Sequence, residues 1–123
     1  IDIDHFKQVN DQYGHIIGDE VIQFVAQCLK DNVRTSDLLV RYGGDEFLVL
    51  IENIDFDNAR KIADKIRSEV EGAYILSENG DQIQVSVSVG VAIGAQSWIS
   101  LFTKADKALF VAKGQGRNAV AEV

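Results

Sequence analysis

The chain has no methionine, a single cysteine and too few basic residues to balance its acids. Each shortage excludes something. One thiol, Cys28, permits no internal disulfide and suits a reducing compartment. Twelve Lys plus Arg against nineteen Asp plus Glu give a net charge of −7. General affinity for DNA or RNA needs excess basic charge to neutralise phosphates, so a nucleic-acid polymer is not an expected partner. A nucleotide held through a divalent cation stays compatible, because carboxylates attract the metal first. No apolar run approaches the roughly 18 residues of a membrane span. The missing methionine and the opening Ile1-Asp2-Ile3-Asp4 point to a chain that begins inside an element.

What is present is ordinary for a globular domain. The 123 residues, 46% of them hydrophobic and 25% charged, fit one domain spanning 1–123. A domain of this size buries about two-thirds of its surface, enough for a core without staples. There is no internal repeat, low-complexity tract or linker.

Periodicity supplies the elements. Residues 1–4 read as the tail of a buried strand, and a short helix is expected over Phe6–Tyr13. From Asp19 to Val33 the apolar positions follow a helical period, with Cys28 on or beside the stripe as a small core residue. Leu38–Tyr42 and Phe47–Ile51 read as strands joined by Gly43-Gly44-Asp45-Glu46, where Gly-Gly supplies positive φ for a tight hairpin. Asp55–Glu71 is an amphipathic helix with a solvated charged face. Ala73–Leu76 and Ile83–Ile93 form a second hairpin about Asn79-Gly80, and the longer strand alternates strictly. Its second face, Gln84, Ser86, Ser88, Gly90 and Ala92, carries small residues that allow close packing. A last helix runs from Ser100 to Lys113 with Trp98 anchoring its start, and Asn118–Val123 reads as a closing strand. The fold class is α/β (α+β): a mainly antiparallel central sheet flanked by helices.

Chemistry concentrates in a few places. Strand alternation puts Asp2 and Asp4 on one face at a strand end, and Asp45 and Glu46 occupy a hairpin turn. If the two strands are neighbours, the acids meet at one sheet edge, where they repel unless a cation compensates. Acids also gather at strand ends and turns for no such reason. His5, Phe6 and Lys7 follow the strand at once, and a strand-to-helix turn exposes N–H groups suited to phosphate oxygens. Lys113 and Arg117 flank Gly114-Gln115-Gly116, either as phosphate ligands or as ordinary cations at a helix C-terminus. Asn10 and Asp19 bracket a glycine-punctuated stretch, and an Asp matches the paired donors of a guanine edge. Taken alone, Asp19 suits a helix N-cap better. Neither His5 nor His15 has a second His or Cys at metal spacing, which argues against zinc.

In order, these stretches resemble the GGDEF domains of bacterial diguanylate cyclases. The matching blocks are Asp2-Ile3-Asp4-His5-Phe6-Lys7, Asn10-Asp11, Tyr13-Gly14-His15 and Gly18-Asp19 at the start. Arg41-Tyr42-Gly43-Gly44-Asp45-Glu46-Phe47 carries the signature. Ser86 to Ala92 and Ala105 to Phe110, through Arg117-Asn118, complete the series. The resemblance implies a fold similar to the palm of nucleotidyl cyclases, with the upstream helix and most of the first strand lying outside these residues. It implies condensation of two GTP into cyclic di-GMP in the bacterial cytoplasm, with Mg²⁺ or Mn²⁺ as cofactor and a homodimer as the active species. Asp2, the Ile3 carbonyl and Asp45 would hold the metal, and Glu46 would assist there or activate a 3′-hydroxyl. Asn10 and Asp19 would read guanine. Lys7, Lys113 and Arg117, with the backbone at His5 and Phe6, would hold phosphates. Arg34-Thr35-Ser36-Asp37 is an RxxD motif where the family places an inhibitory product site; otherwise it is a surface ion pair beside a hairpin. Phe110 and Ser86 stand where the family often has Tyr and Thr, and Gly94–Ser100 is a short loop.

Overall fold

The computed structural model describes residues 1–94 and 97–123. The elements run β1 (Asp2–Ile3), α1 (Phe6–Tyr13), α2 (His15–Asn32), β2 (Leu38–Arg41), β3 (Phe47–Leu50) and α3 (Phe56–Glu71). Then follow β4 (Ile75–Leu76), β5 (Gln82–Ile83), β6 (Val87–Val91), α4 (Trp98–Gly114) and β7 (Val120–Glu122).

β1 lies at the centre of the sheet. It pairs antiparallel with β6, Asp2 opposite Ser88, and β6 pairs parallel with β7, Val89 opposite Val120. On its other side the β2–β3 hairpin is joined to it by a bridge between Asp2 and Glu46. The Ile3 N–H donates to the Asp45 carbonyl at 3.0 Å, and the Phe47 N–H to the Ile1 carbonyl at 2.8 Å. The spatial order is therefore β2-β3-β1-β6-β7, with β6 and β7 the parallel pair. β4 and β5 form a separate antiparallel ribbon. The expected mainly antiparallel sheet flanked by helices is the architecture observed.

Alternation along β6 divides the packing. Val87 and Val89 join a core with Ile3, Val21, Val25 and Leu29 of α2, and Ile66 and Val70 of α3. Ser88 and Gly90 face the other way. A Cβ on Gly90 would lie 2.3 Å from the Ala105 carbonyl oxygen and from the Leu109 nitrogen. Only a bare backbone lets α4 come so close, and Ala108 and Ala112 are buried on that helix. Cys28 is a buried core residue.

Several boundaries differ from the periodic reading. α2 starts at His15 rather than Asp19, with Gly14 as its N-cap residue at φ +90°. The run 83–93 is not one strand: β5 pairs with β4, whereas β6 pairs with β1 and β7. Between them the Ser86 carbonyl accepts from the Asp4 N–H at 2.9 Å, so each half serves its own partner. The signature hairpin forms around a five-residue loop in which neither Gly43 nor Gly44 has positive φ. The Tyr42 N–H closes that loop onto the Glu46 carbonyl at 2.8 Å. The Arg41 guanidinium braces it through the carbonyls of Gly43 (3.2 Å) and Gly44 (2.7 Å). The Asn79-Gly80 turn forms as expected, Gly80 taking φ +82°. α4 starts at Trp98, capped by the Ser97 hydroxyl, which accepts from the Ser100 N–H. Trp98 is half exposed and packs against Phe102, with ring centroids 6.1 Å apart. The short loop expected over Gly94–Ser100 falls partly on residues 95–96, outside the described residues.

Candidate active site

Because the hairpin is bonded to β1 through Ile3 and Phe47, its loop delivers two acids to the strand's edge. Ligand oxygens of Asp2, Asp45 and Glu46 lie within 4.8 Å of one another. Asp2 is 6% exposed. Its Oδ2 pairs with the Lys113 ammonium in the last turn of α4, and its Oδ1 is buried without a hydrogen-bond partner. Burial, followed by the neighbouring Asp2 carboxylate, pushes the Asp45 carboxyl above its ordinary range. The hydrogen bond to Asp2 holds the Lys113 ammonium above its own. Three acids, one ammonium and an open buried oxygen fit a divalent cation: Mg²⁺ takes one or two carboxylates and fills the rest of its shell with other oxygens. Ile3 contributes its N–H to fixing Asp45, and its side chain is buried.

Asp4 does not join this group. The pairing runs one residue past β1, the Asp4 N–H donating to the Ser86 carbonyl, so Asp4 keeps to the face of Asp2 and Ser88 as alternation predicts, but other donors engage its carboxylate there. Asp4 is instead 5% exposed and accepts from Ser86 Oγ (2.7 Å), Ser88 Oγ (2.6 Å) and the Asn118 N–H (2.9 Å).

The β1–α1 turn passes through His5, which adopts left-handed backbone at φ 55°. Its carbonyl accepts from Gln8 and Val9. The N–H groups of Phe6 and Lys7 belong to the first helical turn and have no intrahelical partner. Arg117, after α4, also has positive φ at 65°. The Asn118–Asp4 bond brings that turn alongside the start of α1.

Asn10 of α1 lies over Gly18 of α2. A Cβ on Gly18 would fall 1.8 Å from Asn10 Oδ1 and 3.3 Å from Phe6 Cζ. Asn10 Oδ1 is buried with no partner. Asp19 follows Gly18 in the chain and is exposed. The N-cap reading of Asp19 is overturned, since it stands a full turn inside α2. Among the described residues, Asp2 Oδ1 and Asn10 Oδ1 are the buried side-chain polar atoms left without a partner. In a folded protein such atoms are few and call for a ligand or an ordered water.

Arg34 and Asp37 stand apart, in the loop between α2 and β2. The Arg34 backbone N–H donates to Asp37 Oδ2 at 2.7 Å, its guanidinium reaches Asp37 Oδ1 at 3.2 Å, and it also donates to the Glu52 carbonyl at 2.6 Å. Burial works against ionisation of Asp37, but the hydrogen bonds and charge of Arg34 outweigh it and hold the carboxyl below its ordinary range.

Periodicity alone missed three side chains that hold these parts together. Asp4 joins β1 to the Arg117 turn, and Arg41 braces the acidic loop. Arg67, assigned to a solvated helix face, is 20% exposed and donates to Asn118 Oδ1 at 3.1 Å. One signal was present for the first: serines at alternate positions 86 and 88, facing away from the valine core.

A recess of about 340 Å³ between the sheet, α3 and α4 is lined by Phe47, Ile62, Ile66, Val89, Leu101 and Phe102 among others. Its apolar walls do not suit a triphosphate. No described helix is long and apolar enough to cross a membrane.

Comparison with known proteins agrees with this arrangement. The family model described as diguanylate cyclase, GGDEF domain, matches residues 1–119. Diguanylate cyclase DosC of Escherichia coli is 43% identical over 122 residues, covering 98% of this chain and 26% of that protein. Response regulator PleD of Caulobacter vibrioides is 41% identical over 124 residues, covering 98% and 27%. The chain thus spans about a quarter of these relatives' length. Among solved structures, the GGDEF domain of DgcB from Caulobacter crescentus, in complex with c-di-GMP, superposes with a TM-score of 0.94 at 33% identity, covering 98% of this chain and 72% of that one. The GGDEF domain of YfiN (TpbB) from Pseudomonas aeruginosa gives 0.90 at 36%, covering 99% and 79%. Ordered sequence blocks, backbone and an acidic loop seated against Asp2 all agree, and the chain belongs to the GGDEF domain family of diguanylate cyclases.

Proposed function

We propose that this domain condenses two molecules of GTP into cyclic di-GMP, releasing two pyrophosphates. In each step a ribose 3′-oxygen forms a bond to the α-phosphorus of the opposing GTP, and the bond from that phosphorus to the β-phosphate bridging oxygen breaks. One domain holds one GTP, so two copies must face each other as a homodimer.

The supporting observation is the pair of open buried oxygens, Asp2 Oδ1 and Asn10 Oδ1. One lies in the acid cluster and the other on the α1–α2 side, matching the metal-bound triphosphate and the guanine base. Asp2, the Ile3 carbonyl and Asp45 would hold Mg²⁺ or Mn²⁺. Such an ion, when bound, neutralises phosphate charge and lowers the pKa of a hydroxyl. Glu46 sits at the same edge, placed to accept the proton of the attacking hydroxyl. Lys113, already held against Asp2, takes a phosphate oxygen together with Lys7 and Arg117, and the N–H groups at the start of α1 cradle the remainder. Asn10 Oδ1 accepts from the guanine edge and the Asp19 carboxylate pairs with its donors. Arg34 and Asp37 form a second site for the product, the guanidinium turning from Asp37 to a guanine edge or phosphate.

The test is incubation of the protein with GTP and Mg²⁺, followed by chromatographic assay of cyclic di-GMP. Product is expected, and Asp45→Ala is expected to abolish it without unfolding the domain. A folded dimer that forms no product would refute the assignment. Bound GTP without turnover would instead favour a nucleotide-sensing module.

A further inference from the structure

We propose that Asp4, outside the acid cluster, is a positioning residue that holds the phosphate-binding arm against the β1–α1 turn. This rests on the nucleotide reading above. Asp4 is a buried carboxylate with three donors converging on it: the hydroxyls of Ser86 and Ser88 and the backbone N–H of Asn118. Nearly buried charge is retained only where hydrogen bonds satisfy it. Here the donors come from Ser86 and Ser88, at the start of β6, and from the turn after α4, two segments remote in sequence.

The Asn118 bond matters most. Arg117 and Asn118 both occupy left-handed backbone, at φ 65° and 46°. Residues with side chains take up that region rarely, and hold it when the surroundings over-determine it. The determinants are all in view. The Arg117 N–H donates to the Ala112 carbonyl, the Asn118 N–H to Asp4, and the Asn118 side chain accepts from Arg67. His5, next to Asp4, is left-handed as well. Asp4 thus joins two strained turns, one carrying Arg117 and the other opening α1 at Phe6 and Lys7. Without it the Arg117 arm loses the bond that ties Asn118 to the β1–α1 turn. Guanine contacts at Asn10 and Asp19 lie on the far end of α1 and the start of α2, beyond this link.

The test compares wild type, Asp4→Ala and Asp4→Asn. Affinities for GTP with Mg²⁺ and for guanosine are measured by calorimetry, and exchange of the Asn118 amide by NMR. In Asp4→Ala, GTP affinity falls about tenfold or more while guanosine affinity stays within about twofold. Asn118 exchange accelerates, while the Val89 amide, bonded to the Ala119 carbonyl, keeps its protection. Asp4→Asn recovers both, since its amide oxygen takes the Asn118 N–H and its NH₂ donates to a serine hydroxyl. If Asp4→Ala does not fold, the Ser86→Ala/Ser88→Ala variant loosens the same carboxylate and is expected to shift both readouts in the same direction. Unchanged Asn118 exchange, or equal loss for GTP and guanosine in folded protein, overturns the proposal. Wild type that binds GTP no better than guanosine would overturn the phosphate assignment instead, leaving Asn118 exchange to decide the role of Asp4.

Discussion

Replacing Gly90 by alanine joins packing to chemistry more directly than any other single change. The new Cβ would lie 2.3 Å from the Ala105 carbonyl oxygen, 2.3 Å from the Leu109 nitrogen and 2.9 Å from Leu109 Cα. Ordinary contact starts at 3.4 Å, so α4 must retreat by about 1 Å, and no side-chain rotation relieves backbone atoms. Gly90 does not have positive φ, so contact alone decides the sign. Overpacking costs about 1–3 kcal/mol, here at the upper end, offset by about 0.5–1 kcal/mol from the better strand propensity of alanine. The expected net loss is about 2 kcal/mol, or roughly 8 °C in the melting temperature of a domain this size. Urea titration should show a lower midpoint with an unchanged slope. Because α4 also carries Lys113 against Asp2, GTP affinity should fall in the same variant. A midpoint equal to or above wild type would refute the reasoning.

Three further predictions follow from particular contacts. Gly18→Ala displaces the Asn10 side chain, whose Oδ1 would be 1.8 Å from the new Cβ. Since a flexible side chain can move and alanine favours a helix by about 1 kcal/mol, stability should hold or rise while preference for GTP over ATP is lost; retained preference would contradict the Asn10 assignment. Arg34→Ala should weaken cyclic di-GMP binding and raise steady-state product, and an identical progress curve would count against the product site. The same variant tests linkage. The Asp37 carboxyl is held below its ordinary 3.8 by Arg34, so it adds stability above about pH 4 that is lost as pH falls through its folded value. Arg34→Ala should flatten the decline in stability below about pH 4, and an unchanged decline would refute the linkage.

Where chemistry is local, the chain could be read directly. Phe6–Tyr13 is helical with the expected bounds, and Asp55 caps α3 by accepting from the Asn58 N–H. The two acids of the hairpin loop were legible because turn residues and strand alternation are properties of neighbours along the chain. The strand split after Ile83 was not, since unbroken alternation continues through Gln84–Ser86 while the pairing partners change. Alternation put Asp4 on the face of Asp2, where it stands, but its partners were not legible: the Ser86 and Ser88 hydroxyls and the Asn118 N–H that keep it out of the acid cluster come from segments remote in the chain. The early start of α2 follows from Gly14 at φ +90°, a turn between helices that a stripe of apolar residues does not mark. Lys113 could be named from its place near a helix end, but its contact with Asp2 joins residues more than a hundred positions apart and exists only in the folded chain.

The claim on which the rest depends is that Asp2 and Asp45 hold one divalent cation between them. Titration of Mn²⁺ into the protein, followed by electron paramagnetic resonance of the free ion in the presence of a non-hydrolysable GTP analogue, measures it without turnover. Wild type should take up Mn²⁺ stoichiometrically, and Asp2→Asn and Asp45→Asn should each lose that uptake while remaining folded. Undiminished Mn²⁺ binding in either variant would contradict the account.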